Sequence, residues 1–487
     1  MRAISTTPGF AIVAAALLAG CKVGPDYVRP AALPNSSVPS TFSETGSTNE
    51  VFWQTAAPSA HLSRGAWWEL FGDTNLDRLE DLAAAGNQDL AIATARFAQA
   101  RAQVNLTRAD LYPQVEVDPN YLRQRASFNV PENGAAAGVS PTFNTFTAQL
   151  QAGWEVDVWG RVRRQVESAR AQLAAGVDDV EAVKLAVHAE VALDFFTLRS
   201  VDAEGELIER TAAAYRRSLE LTVNRRKGGI ASDLDVAQAE TQLRATEAAL
   251  PPLRLQRARL GHALAALCGR EARGFEVPPA PGSFTEPPAV PTVVPSALLE
   301  RRPDIAAAER RMAAANAQVG VSQAAFYPHF RVNGLAGFQS LDAATWFDWP
   351  SRLWSVGPSL QLPLFTGGRN RAGLAYSRAA YEESVASYRR AVLAAFQEVE
   401  DQLAAQRWLE AQLAAEQAAL KAARKTLEIA NNRYRSGLTT YLEVATAQSA
   451  SLALERAVVQ TRTRKLEIAV GLIKALGGGW GTTPGAR

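Results

Sequence analysis

Hydrophobic positions along this chain follow two periods, and the two alternate in a fixed order. From Arg161 to about Lys227, apolar residues recur at Val162, Val166, Ala169, Leu173, Val177, Val180, Val183, Val187, Val191, Phe195 and Leu198, with no proline between. Spacings of three and four sustained this long predict a coiled-coil-like helix, about 100 Å long at 1.5 Å per residue. A second such stretch runs from about Asn370 to Arg435 through Leu374, Tyr381, Val385, Tyr388, Val392, Val399, Leu403, Leu409, Leu413, Leu420 and Leu427. Helices of compact domains average about 10–14 residues, so these two span a distance rather than fill a globule.

Between the helices the period drops to two. Phe146, Ala148, Leu150, Ala152, Trp154, Val156 and Val158 alternate with Thr147, Gln149, Gln151, Gly153, Glu155 and Asp157. Later, Trp354, Val356, Pro358, Leu360, Leu362 and Leu364 alternate with Ser355, Gly357, Ser359 and Gln361. Each run follows a weaker partner, Val115, Val117 and Tyr121 in one case and Phe330, Val332, Ala336 and Phe338 in the other. The loops between partners carry Asn133-Gly134 and Trp346-Phe347-Asp348-Trp349-Pro350. Strict alternation fits either a half-buried hairpin of a soluble domain or a membrane barrel with one lipid face and one aqueous face. Four strands cannot close such a barrel, which needs at least about eight, so a pore would require several chains.

The elements repeat. Ala102-Gln103-Val104 and Leu111-Tyr112-Pro113 are answered by Ala317-Gln318-Val319 and Phe326-Tyr327-Pro328, and Asp89-Leu90 by Asp304-Ile305. Leu219-Glu220-Leu221, Gly229 and Leu234-Asp235-Val236-Ala237 are answered by Leu427-Glu428-Ile429, Gly437 and Leu442-Glu443-Val444-Ala445. An offset of about 210 residues holds throughout, which marks a tandem duplication. Each half reads helix, hairpin, very long helix, turn, helix. The halves, 67–273 and 296–476, flank a linker at 274–295 whose prolines forbid helix. A glycine-rich tail occupies 477–487.

The N-terminus reads as an export signal over 1–20: Arg2, then the apolar run Phe10 to Leu18, too short for a permanent span. It ends in Leu18-Ala19-Gly20-Cys21, which resembles the lipobox of bacterial lipoproteins. That resemblance implies cleavage before Cys21 and a covalent lipid there, N-acyl and S-diacylglycerol. An ordinary signal peptide with an incidental cysteine is the alternative. An extended arm over 21–66 would follow, with Pro25, Pro30, Pro34 and Pro39. No later run offers 18 consecutive apolar residues, so any membrane crossing must use strands.

Composition narrows the function. With 51 basic and 49 acidic residues the net charge is +2, which leaves no footprint for nucleic acid. The four histidines, His61, His188, His262 and His329, lack metal-ligand spacing, and no nucleophile elbow or phosphate loop occurs, so neither an enzyme nor a cofactor is expected. Cys268, in an apolar helical stretch, reads as a small core residue.

Taken together, the chain resembles the outer-membrane factors of tripartite efflux systems, the TolC and OprM group, and especially their lipoprotein (NodT-type) branch. The resemblance rests on Cys21-Lys22-Val23-Gly24-Pro25-Asp26-Tyr27, on Trp67-Trp68 with Phe71-Gly72-Asp73, on Arg301-Arg302-Pro303-Asp304-Ile305, and on the repeated Tyr-Pro and Gly-aliphatic motifs. It implies a mainly α fold with a small membrane β-barrel. In a homotrimer, four strands per chain would give a barrel of about 12 strands in outer-membrane lipid, and the helices an α-barrel of about 12 helices. Helices at about 74–112 with 231–268, and 296–327 with 439–475, would stack end to end beside the two long ones. The function implied is passive efflux of small molecules, with a periplasmic adaptor and an inner-membrane resistance-nodulation-division transporter as partners. A type I protein-secretion duct and a non-conducting coiled-coil scaffold are the alternatives.

The gate would lie at the periplasmic helix-to-helix turns, Lys227-Gly228-Gly229-Ile230 and Arg435-Ser436-Gly437-Leu438. Gly228, Gly229 and Gly437 supply the freedom a tight turn needs. Asp233, Asp235, Leu438, Thr439 and Tyr441 are the gate or tip candidates, with turn packing and helix capping as their plainer role. Thr439 stands where relatives often place an acid. The basic run Arg225-Arg226-Lys227 reads as a solvated helix end.

Overall fold

A computed structural model describes residues 22–32, 42, 65–125, 142–280, 287–288 and 301–478. The export signal, Cys21, the Asn133-Gly134 loop, most of the Pro-rich linker and the tail beyond Gly478 lie outside the described residues. Helices α1 (Thr74–Gly86) and α2 (Gln88–Ala109) lead into strands β1 (Gln114–Arg125) and β2 (Thr142–Val156). Then come α3 (Arg161–Lys227), α4 (Asp233–Glu247) and α5 (Leu250–Leu267). The second half runs α6 (Pro303–Ala324), β3 (His329–Ser340), β4 (Arg352–Gln361), α7 (Arg369–Arg435) and α8 (Tyr441–Ala475). The long helices α3 and α7 each hold 67 residues, within a residue of the limits their periodicity predicts.

The shorter helices are more broken than expected, each for a local reason. The helix expected over 74–112 stops at Gly86 and restarts at Gln88. Asn87 is extended there; its Oδ1 accepts from Asp89 N and Leu90 N at 2.9 and 3.1 Å, and its Nδ2 donates to Leu267 O. The repeat-equivalent position is Arg302, followed by Pro303, which opens α6 where its missing N–H costs nothing. The helix expected over 231–268 divides before Pro251-Pro252, because proline cannot complete the preceding turn. Its counterpart α8 has no proline and is unbroken.

The chain packs as two compact units, and neither corresponds to a sequence half. One gathers Met1–Pro30, Arg96–Gly176 and Ala308–Tyr388 and contains the sheet. Its four strands are ordered β1-β2-β3-β4, all neighbours antiparallel, so the pairing of β2 with β3 joins the two hairpins.

The other unit gathers Ala31–Ala95, Val177–Ala307 and Arg389–Arg487. Its main core packs Trp67, Phe71, Leu76, Leu79 and Ala83 against Val187, Val191, Phe195 and Leu198 of α3 and Leu466, Val470 and Ile473 of α8. Each buried Val, Leu, Ile or Phe side chain here contributes about 1.5–3 kcal/mol. Trp67 to Phe71 forms one 3-10 turn that ends on Gly72 in the left-handed region, and Asp73 caps α1 by accepting from Asn75 N. The Trp-Trp and Phe-Gly-Asp motif is thus a plug for this core. The Arg-Arg-Pro-Asp motif is a staple: Arg302 donates to both oxygens of Asp304, to Glu398 at 2.5 Å and to Ala475 O at 3.0 Å. Cys268 is a buried free thiol whose Sγ lies 3.5 Å from Leu79 O, and burial pushes it up to about 11.

Candidate functional site

Two places carry the features an export duct needs, the sheet and the paired helix-to-helix turns. The strand register settles which side chains share a face of the sheet. Val115, Val117, Pro119 and Tyr121 of β1 pair with Ala152, Leu150, Ala148 and Phe146 of β2. Those in turn face Gly334, Ala336, Phe338 and Ser340 of β3, and Val332 and Phe330 pair with Trp154 and Val156. Across β4 the same face continues through Trp354, Val356, Pro358 and Leu360. All four strands therefore put their apolar residues on one side. The opposite side carries Gln114, Glu116, Asp118 and Asn120, then Thr147, Gln149, Gln151 and Glu155, then Arg331, Asn333 and Gln339, then Ser355 and Ser359. Leu122, Phe143, Leu335 and Leu353 are its apolar exceptions.

The apolar face is exposed, with Val117, Trp354 and Val356 about 70% accessible. From Phe146 to Val156 a strand advances about 34 Å, which at a barrel tilt of about 40–45° covers the roughly 25 Å apolar band of outer-membrane strands. At the loop end an aromatic chain crosses the strands: Tyr121 with Phe146, Phe146 with Trp346, Trp346 stacked on Phe347, and Phe347 against Phe338, at centroid distances of 4.9, 5.5, 4.8 and 5.8 Å. Such rings suit the membrane–water interface, where an amphipathic ring is apolar on one side and wet on the other. The sequence predicts no more than a loop for the Trp346–Pro350 segment. Only folding brings its rings beside Phe146 and Phe338. Leu362 and Leu364, expected to continue the last strand, stand beyond β4. β1 and β4 have no strand on their outer sides among the described residues. Each edge leaves a row of backbone donors and acceptors to be paired by another chain.

At the turn from α3 to α4, Gly229 N donates to Arg226 O and Ile230 N to Arg225 O. At the turn from α7 to α8, Gly437 N donates to Tyr434 O and Leu438 N to Arg433 O. Both are Schellman closures with the glycine left-handed, at φ 73° and 75°. Gly228, predicted alongside them, has no positive φ and is not required by the turn.

The two turns are then tied together by one carboxylate. Ser232 caps α4 in a capping box with Asp235, whose Oδ2 accepts from Ser232 N and the Ser232 hydroxyl at 2.9 Å each. Thr440 gives α8 no side-chain cap. Its first free N–H, on Tyr441, instead donates 3.0 Å to Asp235 Oδ1 from the other turn. Burial by itself would raise the Asp235 carboxyl, but the hydrogen bonds from Ser232 and Tyr441, with Arg225 nearby, hold it below its ordinary 3.8.

Tyr441 is fully buried, its hydroxyl 3.2 Å from Gln448 Oε1 and 3.3 Å from Ser218 Oγ, its ring edge-on to Tyr434. Arg225, expected to be solvated, lies over the Tyr434 ring and donates 2.8 Å to Arg435 O across the turns. Arg226 pairs with Asp233. Asp233 and Asp235 are therefore both engaged within the chain. Leu438, Ile230 and Leu234 are left pointing outward, about 70% exposed, and Thr439 is half-buried.

A buried pair without any local sequence signature lies elsewhere in the chain. His188 Nδ1 of α3 lies 2.6 Å from Glu80 Oε2 of α1, both buried, with Trp68 stacked on the imidazole. Desolvation raises Glu80 to about 9 and lowers His188 to about 4, so the pair is held uncharged by a protonated carboxyl donating to a neutral ring. The partners are 108 residues apart, and no local pattern links them. No helix among the described residues is long and apolar enough to cross a membrane.

Comparison with known proteins agrees with this geometry. The sequence profile of the outer membrane efflux protein family matches twice, over residues 79–270 and 294–478. The probable efflux pump outer membrane protein TtgC of Pseudomonas putida is 32% identical over 469 residues, covering 96% of this chain and 94% of its own length. Outer membrane protein OprJ of Pseudomonas aeruginosa is also 32% identical, over 477 residues, with 96% and 95% covered. Among solved structures, the outer-membrane channel OprN superposes with a TM-score of 0.83 at 30% identity, over 94% of this chain and 100% of that one. CusC superposes at 0.81 with 28% identity and the same coverage. The chain belongs to the outer membrane efflux protein family.

Proposed function

We propose that this chain is one of three identical subunits of an outer-membrane exit duct, which passively conducts small molecules delivered by a periplasmic adaptor and an inner-membrane resistance-nodulation-division transporter. The observation that carries the reading is the two-faced sheet with open edges. Its apolar side suits lipid, its polar side suits water, and two unpaired edges call for neighbours to close a barrel. Three chains of four strands supply about 12, within the range of membrane barrels. Acylation of Cys21 would add a second membrane attachment beside the strands. The turns bearing Leu438, Thr439 and Tyr441, with Asp233 and Asp235, serve as the gate: Leu438, Ile230 and Leu234 narrow the opening, and Asp235 with Arg225 hold the two hairpins together.

Deletion of the gene in its native host should raise drug or solvent susceptibility, and the purified protein should conduct in planar bilayers. Unchanged susceptibility with loss of a secreted protein would favour a type I secretion duct. A protein that never conducts, even with Asp235→Ala at the turn, would favour a non-conducting scaffold.

A further inference from the structure

Charge on the apolar phase of the sheet is confined to one end and has one sign. From Val115 to Tyr121 on β1, from Phe146 to Val156 on β2 and along all of β3, that phase holds no charged side chain. At the loop end it carries three arginines: Arg123 and Arg125, which finish β1, and Arg352, which opens β4. The register fixes their side. Arg123 pairs with Asn144 and Arg125 with Thr142, in step with Tyr121 and Phe146, and Arg352 pairs with Phe338. The opposite phase at the same end is uncharged, with Leu122, Gln124, Phe143, Thr145, Gln339 and Leu353. Its carboxylates, Glu116, Asp118 and Glu155, stand nearer the helices. The usual order is thus inverted at the loop end, where charge sits on the lipid phase and not on the aqueous one.

An arginine on a lipid-facing strand costs about 2–4 kcal/mol at the bilayer midplane but only about 0–1 kcal/mol near an interface. Three on that phase therefore belong at headgroup level, in the leaflet that the loops face. Spacing along the strand agrees. Arg123 stands two residues, about 7 Å, beyond Tyr121 of the aromatic chain, and Arg125 a further two. Arg352 stays beside the aromatic rings, its guanidinium 4.4 Å over Trp349 and its Nη1 donating 2.8 Å to Trp349 O. All three arginines are exposed. Neither Arg123 nor Arg125 pairs with a carboxylate among the described residues. Asn144, opposite Arg123, accepts the Tyr121 hydroxyl at 3.2 Å on its Oδ1, which leaves its amide N–H groups as further donors.

We propose that Arg123, Arg125 and Arg352 form a cationic clamp for phosphate-bearing lipid headgroups of the outer leaflet. Two guanidinium forks on one strand face, about 7 Å apart, can hold one phosphate from both sides, each through paired N–H donors. Acyl chains of the same lipid would lie along Tyr121, Phe146 and the apolar side chains below them, so head and tails meet one continuous surface. The helix end of that phase offers no cation, so the clamp also distinguishes the two leaflets and holds the loops outward. The inference rests on the membrane reading of the sheet given above and adds to it the class of lipid the barrel selects.

The test reconstitutes the full chain in phosphatidylcholine vesicles that contain spin-labelled phosphatidic acid or spin-labelled phosphatidylcholine with the same acyl chains. Electron spin resonance reads the fraction of each label that the protein surface restricts. On the parent, phosphatidic acid should be enriched about twofold or more over phosphatidylcholine, since each basic residue at such a surface favours an anion by up to about fivefold. Added salt should lower the ratio. The double variant Arg123→Gln, Arg125→Gln should bring it near unity, whereas Arg331→Gln, on the opposite phase near the helices, should keep the parent's ratio. Restricted phosphatidylcholine reports insertion separately, so a variant that restricts it normally yet loses the enrichment has not failed to insert. Arg125→Gln alone should give an intermediate ratio and serves where the double variant does not insert. With phosphatidylcholine restricted, a ratio unchanged by these substitutions, or lost equally in Arg331→Gln, would overturn the clamp and leave the duct standing. A parent that restricts neither label would overturn the membrane reading of the sheet and this inference with it.

Discussion

Single side chains in this protein satisfy backbone groups that secondary structure leaves open. Asp235 does so for two helices at once, and this predicts an asymmetry in the duplicated turns. Asp235→Ala should leave Ser232 N and Tyr441 N unpaired, cost about 1–2 kcal/mol of local stability, and raise the closed-state bilayer conductance. Glu443→Ala, at the repeat-equivalent position, should do neither, because Glu443 only approaches Arg433 at 3.9 Å. The depressed Asp235 carboxyl sets the sign with pH. Its stabilisation is complete above the ordinary 3.8 and is lost as pH falls through the lower folded value, so acid alone should mimic the alanine.

The Glu80–His188 pair behaves oppositely. Protonated Glu80 stabilises fully below 4.5 and progressively less as pH rises toward about 9; neutral His188 stabilises fully above 6.5 and less as pH falls toward about 4. The two slopes cancel between, so melting temperature should fall on the alkaline side of 6.5. Glu80→Gln can still donate to Nδ1 but cannot ionise. It should flatten that alkaline decline, whereas Glu80→Ala should lose roughly 2 kcal/mol at neutral pH. A decline identical in the Gln variant would show that other groups cause it.

Extended segments of this chain are held by arginines rather than by strands. Arg164 donates to the carbonyls of Val23 and Gly24, Arg199 donates 2.6 Å to Pro278 O, and Arg257 donates 2.9 Å to Val277 O where the linker begins. The reason is shared: a proline-rich stretch has carbonyls but few N–H groups, so a multi-donor side chain is its natural partner. Strand pairing carries its own vulnerable point. Gly337 lies where β2 and β3 approach, and a Cβ there would run into the carbonyl oxygen of Ala148 and into Gln149. Gly337→Val should therefore open the junction between the two hairpins. Heat-stable oligomer on a denaturing gel should fall several-fold or vanish, whereas Gly357→Val, with no atom within 4 Å, should assemble nearly as the parent does. Normal assembly of the Gly337 variant would show that β2 and β3 tolerate separation.

At the scale of the whole molecule, membrane attachment is divided between strands and the proposed lipid. Cys21→Ser should abolish palmitate incorporation while leaving the sheet able to insert, since burial of the apolar strand face does not depend on acyl chains. Palmitate still bound in that variant would refute the lipobox reading. Much of this architecture was legible in the chain itself. A 3.6-residue period sustained over 67 positions can only be a long helix, and strict alternation with an apolar phase can only be a two-faced strand. The internal repeat likewise predicted paired hairpins and paired turns, because local chemistry such as the glycine of a Schellman closure recurs wherever the same sequence does. What the tertiary structure alone decided involves partners far apart in the chain. β2 pairs with β3 across the two halves, Asp235 caps a helix beginning 206 residues later, Glu80 meets His188, and Arg164 closes on Gly24. None of these has a period or a spacing. Each arises because packing first brings two elements together, and a buried donor or acceptor must then find its partner in whatever element lies nearest.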